Sequence, residues 1–193
     1  FSRSKQGQVV TVHVRGASGM GKTALVHRFL QELGRSEDVV ILEGRCYERE
    51  AVPYKGVDHL IDALTRYLSS LTESEVAALL PRDIHAVVRL FPVLGRVSSI
   101  ARAPRRGAEP KDAHELRRRG FSALRELLAR MADRRPVVLY VDDLQWGDAD
   151  SATLLAEVFR PPDAPAVLLL ASYRSEDADK SALLRNLPAW MVG

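Results

Sequence analysis

Short apolar runs alternate along this chain with stretches whose apolar residues recur at three- and four-residue spacing. The run "QVVTVHVRG" is dense in β-branched residues and ends on glycine, which predicts a buried strand over Val9 to Val14. "KTALVHRFLQELG" follows as a helix, with Leu25, Phe29, Leu30 and Leu33 as its apolar positions and Gly34 placed to cap its end. "DVVILEGRCY" predicts a second strand over Val39 to Leu42. "VPYKGVDHLIDALTRYLSSL" predicts a helix from about Lys55, with Val57, Leu60, Ile61, Leu64 and Leu68 on one side. "TESEVAALL" opens another helix with a capping box, Thr72 to Glu75. "ARAPRRGAEPKDA" combines proline, glycine and charge and reads as a loop. Beyond it, Phe121, Leu124, Leu128 and Met131 mark a long helix ending near Ala132. "PVVLYVDD" is a third strand, and "DADSATLLAEVF" a short helix with an acidic cap, stopped by Pro161 and Pro162. "PAVLLLASYR" is a fourth strand and "DKSALLRNLP" a last helix.

Continuous apolar strands alternating with helices predict an α/β fold, a parallel sheet with helices on both faces. Such a sheet binds ligands at the carboxyl ends of its strands, so the loops after Val14, Val141 and Tyr173 share the rim where chemistry is expected. The 193 residues suffice for one core domain over 1–193. The chain opens on Phe1 without a secretory signal, which suggests a piece of a longer protein. Its most apolar run, "APAVLLLASY", is too short to span a bilayer, so no membrane partner is expected. One cysteine, Cys46, excludes an internal disulfide and suits a cytoplasmic setting. A net charge of +3 gives no overall electrostatic case for nucleic acid.

The candidate chemistry begins at "GASGMGKT", Gly16 to Thr23, the G-x-x-x-x-G-K-T phosphate-loop pattern. A loop that wraps phosphate needs many backbone N–H donors and little side-chain obstruction. Gly16, Gly19 and Gly21 permit that path, with Ala17, Ser18 and Met20 between them. The helix entered through Lys22, Thr23 and Ala24 adds its unpaired N–H groups and positive dipole end. Lys22 can reach the β- and γ-phosphates, and the Thr23 hydroxyl can ligate Mg²⁺. The pattern has its required context, a strand before it and an amphipathic helix after it.

Across the site, the strand "VVLYVDD" delivers Asp142 and Asp143 to the rim. By analogy with other phosphate-loop proteins Asp142 is the Mg²⁺ partner, and Asp143 the group that orients or deprotonates an attacking water. The competing reading is a turn or capping role, the one expected for Asp148 and Asp150. Arg174, in "ASYRSED", is placed to touch a γ-phosphate; the alternative is a solvated arginine paired with Glu176. Cys46 reads as a small core residue. The histidines show no metal-ligand spacing. "RAPRR" and "ELRRRG" read as solvated faces, since no aromatic residue interleaves the arginines. Trp146 fits either packing under the acidic loop or an interaction surface.

Taken together, "GASGMGKT", "VVLYVDDLQWGDADSATLL" and "LLLASYRSED" resemble the ATPase domains of the STAND class, a branch of the AAA+ superfamily found in large bacterial regulators. "CYEREAVPY", Cys46 to Tyr54, resembles the segment that group carries after its second strand. The likeness runs from about Gln8 to Leu187 and implies a three-layer P-loop NTPase core. It implies an ATP-dependent signalling switch, ADP-bound at rest, which acts on other domains of its chain and self-associates with ATP. Carried over by position, Lys22 and Thr23 bind phosphate and Mg²⁺, Asp142 holds the metal and Arg174 senses the γ-phosphate. Asp143 stands where related ATPases carry the longer glutamate, which implies slow hydrolysis. The lid and winged-helix regions of the family lie outside the pattern, and DNA would be met only through a separate domain. Other readings remain: a small-acceptor kinase, a DNA-associated AAA+ initiator or loader, and a nucleotide-binding module without turnover.

Overall fold

A computed structural model describes residues 1–48, 53–106 and 108–192. Its centre is a four-stranded, all-parallel sheet in the order β1-β4-β3-β2. The strands are β1 (Val10–Gly16), β2 (Val40–Arg45), β3 (Val137–Asp142) and β4 (Val167–Arg174). Each lies within about two residues of its predicted start, but β1 and β2 continue further, so that Gly16 and Arg45 themselves belong to strands. The described helices are α1 (Ser2–Lys5), α2 (Lys22–Ser36), α3 (Asp58–Ser70), α4 (Glu73–Leu79), α5 (Ile84–Leu90), α6 (Ser98–Ala101), α7 (Ala113–Ala132), α8 (Ala149–Val158), α9 (Ala182–Asn186) and α10 (Ala189–Val192). Residues 49–52 of the "CYEREAVPY" segment lie outside the described residues.

Alternation along the central strands explains their unbroken hydrophobicity. Val137, Leu139 and Val141 of β3, with Val167, Leu169 and Ala171 of β4, enter a large core shared with α3, α4, α5, α7, α8 and α9. Val138 and Tyr140, with Leu168 and Leu170, point the other way, against Val26, Leu30 and Leu33 of α2. Both faces are therefore covered, as a parallel sheet requires. The cover is unequal: a thick helical layer on one side, essentially α2 alone on the other. Gly44 marks a close approach between sheet and thick layer, since a Cβ there would stand 2.8 Å from the Leu60 backbone nitrogen.

The structure corrects several local expectations. The α2 stripe is Val26, Leu30 and Leu33, while Leu25 is 63% exposed and Phe29 is 38% exposed. Residues 26, 30 and 33 lie on one side of a helix; Leu25 and Phe29 sit together one position round from it. Gly34 is not the helix end. The helix continues to Ser36, and extended Glu37 closes it. The helix expected from Lys55 starts at Asp58, and its predicted apolar side, Val57, Leu60, Ile61, Leu64 and Leu68, is buried. Thr72 and Glu75 form the expected capping box of α4. Asp148 caps α8 by accepting from the Ser151 N–H at 2.7 Å. Unforeseen are α5, α6 and the 3₁₀ turn Pro92–Arg96 between them, which complete the thick layer.

The stripe assignment is checkable by chemical denaturation. Leu30→Ala, at a 3% exposed position, is expected to cost about 2–5 kcal/mol. Leu25→Ala, five residues earlier on the exposed face of the same helix, is expected to stay within about 0.5 kcal/mol of the parent.

Candidate functional site

The parallel arrangement brings the carboxyl ends of all four strands to one rim. Register places Gly16 beside Arg174 and Arg45 beside Asp142. From Gly16 the chain turns through Ala17, Ser18, Gly19 and Met20 to Gly21, the residue that caps α2. Gly19 and Gly21 have φ of 78° and 79°, in the left-handed region where a side chain strains the backbone. Ala17 to Gly21 are exposed, as is Ala24 in the first turn of α2. The 15 residues of α2 thus present their N-terminal dipole end to an open loop. Lys22 Nζ folds back and donates to the carbonyls of Gly16 and Ala17, 2.9 Å each. The Ser18 N–H donates to Glu176 Oε1 at 2.9 Å.

Asp142, only 6% exposed, faces the first turn of α2. Its carboxylate accepts from Thr23 Oγ1 at 3.0 and 3.2 Å and from the Ser172 hydroxyl of β4. Tyr140 Oη lies 3.2 Å from Ser172 Oγ, and burial pushes the phenol well above its usual range. Thr23 and Asp142 thus form a pair of hard oxygen donors beside the phosphate loop. That chemistry suits Mg²⁺, which takes one or two protein oxygens and leaves its other positions to water and phosphate. A cleft of about 290 Å³ bordered by Thr23, His27, Arg45 and Asp142 opens next to the pair.

Asp143 has a different environment. Its φ of 56° turns the chain sharply after the strand and sends its side chain toward β2 and β4. Arg45 grips Oδ2 through Nε at 3.0 Å and Nη2 at 2.6 Å. Gln145 Nε2 donates to Oδ1 at 3.0 Å, and Arg174 Nε stands 3.8 Å from the same oxygen. Burial pushes this carboxyl up, but the Gln145 and Arg45 hydrogen bonds and the two guanidinium charges outweigh it, so the group lies below its ordinary value of 3.8. Asp143 is an ionised carboxylate held on two sides.

Lys22, Thr23, Asp142, Asp143 and Arg174 therefore meet on one rim. Arg174 pairs with Asp143 rather than with Glu176, and its guanidinium stands 5.9 Å from the Trp146 ring centroid. Trp146, half-buried against the core, thereby supports the acidic loop. Cys46 is a core residue, 1% exposed. Sequence reasoning missed Arg45, Gln145 and Ser172, and it named Glu176 only as a partner for Arg174, not for the Ser18 N–H. Arg45 and Ser172 lie at the ends of strands, a location that could have singled them out. Gln145, 3% exposed, has its amide fixed by its partners, one end donating to Asp143 and Oε1 accepting from the Arg174 N–H at 3.1 Å. A cavity of about 800 Å³ edged by Arg82, Arg102 and Arg130 lies in the helical layer, with none of the phosphate-loop residues in its walls.

The clamp has a definite pH signature. A carboxyl whose folded pKa is depressed stabilises the fold fully above its unfolded pKa, and loses that contribution as pH falls through the folded value. Arg45→Met is expected to raise the Asp143 pKa toward or above 3.8, read by carboxyl ¹³C NMR titration. Below pH about 4 the variant should then lose less additional stability than the parent.

The sequence pattern that defines the AAA ATPase domain family matches residues 1–170. No curated protein matches the chain. Among solved structures, a chain from the structure of Drosophila ORC bound to GC-rich DNA and Cdc6 is similar at 15% identity with a TM-score of 0.37. That alignment covers 93% of this chain and 45% of the other, so this chain spans less than half of its length. The family match spans most of the sequence, including the phosphate loop and the acidic strand end, and on it the chain belongs to the AAA ATPase domain family.

Proposed function

We propose that this domain binds Mg²⁺-ATP and hydrolyses it slowly, as a nucleotide-dependent switch of the STAND class within a regulatory protein. The observation that carries the reading is the state of Asp143. A carboxylate poised to orient water must be free to turn an oxygen toward it, and here Arg45 takes two bonds on Oδ2 while Gln145 takes one on Oδ1, fixing the group's orientation. A site built to turn over quickly would leave that group open. One built to hold nucleotide until a signal arrives would restrain it.

The backbone N–H groups of the loop and of the α2 end bind phosphate oxygens, and Lys22 swings from its two carbonyls to neutralise them. Thr23 and Asp142 would hold Mg²⁺, which would supply charge neutralisation at the terminal phosphate oxygens. Arg174, in contact with Asp143, shares its guanidinium between that carboxylate and the incoming anion. Nucleotide at the loop thereby draws one cation from Asp143 and loosens its restraint. Adenine nucleotide is the ligand, and association between copies with ATP, or contact with a neighbouring domain, is the output.

Calorimetric titration with Mg²⁺-ATP tests the site. Lys22→Ala is expected to lower affinity by at least about tenfold, a loss of about 1.4 kcal/mol. Unchanged affinity would remove the phosphate-site assignment. Asp143→Asn is expected to keep ATP affinity within about threefold and reduce phosphate release about a hundredfold, the scale of losing an acid–base group. Equal release by parent and variant would instead leave a binding module whose turnover, if any, owes nothing to Asp143.

A further inference from the structure

Glu176 belongs to no role assigned above, yet it makes the one described side-chain contact to a backbone N–H of the phosphate loop. It lies in the 3₁₀ turn Ser175–Lys180 that follows β4, 158 residues along the chain from its partner Ser18. Its position is set by the sheet. Arg174, two residues before it, lies in register with Gly16 at the mouth of the loop. The Arg174 N–H is pinned by buried Gln145. The turn is thus anchored at its root, and the carboxylate projects to the loop from a fixed origin.

A carboxylate offers a loop of N–H donors what a phosphate offers, a negative charge and paired acceptor oxygens. Lys22 and Arg174, the cations assigned to the terminal phosphates, are also the cations whose charges reach the Glu176 carboxylate. The contact is at Ser18, in the first half of the loop, whereas the N–H groups at the start of α2 receive nothing from Glu176. The site is therefore divided. Its helix end is open to a phosphate, and its Ser18 end is already occupied by an anion of the protein.

We propose that Glu176 is a specificity-determining residue of the phosphate site, a tethered carboxylate that stands where a third phosphate would arrive and so weakens triphosphate binding relative to diphosphate. This rests on the phosphate-site reading above. A diphosphate seated at the helix end leaves the Ser18–Glu176 bond in place, while a triphosphate has to displace it. The apparent affinity for triphosphate is then reduced by the fraction of molecules in which the carboxylate has swung away. Discrimination between resting and active nucleotide is thereby built into the loop.

The test compares Mg²⁺-ATP with Mg²⁺-ADP by calorimetry on the parent chain, Glu176→Ala, Glu176→Gln and Asp179→Asn. Asp179→Asn removes the same charge from the same turn, whose one described hydrogen bond to the loop is that of Glu176. Glu176→Ala is expected to raise the ratio of ATP to ADP affinity about three- to tenfold, Glu176→Gln by less, and Asp179→Asn by under about twofold. Tripolyphosphate against pyrophosphate should show the same ordering without the base. An unchanged ratio in Glu176→Ala overturns the assignment, and so does an equal rise in Asp179→Asn, which would reduce the effect to general charge. A parent chain that binds neither nucleotide removes the phosphate-site reading and this assignment with it. A parent that binds both, with a ratio indifferent to residue 176, removes this assignment alone.

Discussion

Two carboxylates stand side by side at the end of a strand that is buried along its whole length. Leaving either one unmatched in that setting would be costly, and two adjacent negative charges repel each other. The rest of the site is organised by this constraint. Asp142 is satisfied by neutral donors, Thr23 from α2 and Ser172 from β4. Asp143 is satisfied mainly by cations, Arg45 from β2 and Arg174 from β4, with Gln145 completing the set. Every strand of the sheet contributes at its carboxyl end, with β1 supplying the loop that faces the pair. Neighbouring acids of the same type thus acquire unlike environments, one held by hydroxyl groups and one held among guanidinium groups.

That division connects the parts of the rim. Arg174 touches Asp143 through its side chain, and Gln145 through its backbone. Trp146 lies against its guanidinium, and Glu176 continues from it to the phosphate loop. A path of contacts thus runs from the loop through Glu176 and Arg174 to Asp143. The rim is internally satisfied: Lys22, Ser18, Asp142 and Asp143 each have partners within the protein, so under the proposed function a ligand would exchange partners with them.

Much of this was legible from the residues. Strand alternation was hidden by continuous hydrophobicity, yet that continuity is itself the mark of a strand buried on both faces, and β3 and β4 were readable for that reason. The phosphate loop was readable because its glycines answer a backbone requirement, and Gly19 and Gly21 adopt positive φ. Gln145 and Glu176 were not readable, because the Arg174 and Ser18 N–H groups that they accept from lie 29 and 158 residues away. A glutamate after "YRS" carries no local signal. The helices over residues 84–101 were obscured by Pro92 and Gly95, which break the periodicity into pieces too short to register a face. On α2, Leu25 and Phe29 were misplaced because a window rich in apolar residues admits two neighbouring stripes, and only the sheet decides which one turns inward.

The unequal cover of the sheet has a dynamic consequence. Free energies of local opening vary across a protein with the apolar contacts each element would lose. The layer of α3 to α9 would have to give up a core of interlocking helices to open. Helix α2 is held by three buried side chains, a few half-buried neighbours and its Thr23 bond to Asp142. It is also the helix whose first turn forms the mouth of the phosphate loop. The thinner cover of the sheet and the helix end that opens on the phosphate loop are therefore one element, so an anion held at the loop would be expected to make that wall open less often. Amide exchange along α2 would then act as a gauge of loop occupancy, while exchange from β3, sealed on both faces, would follow the unfolding of the whole domain.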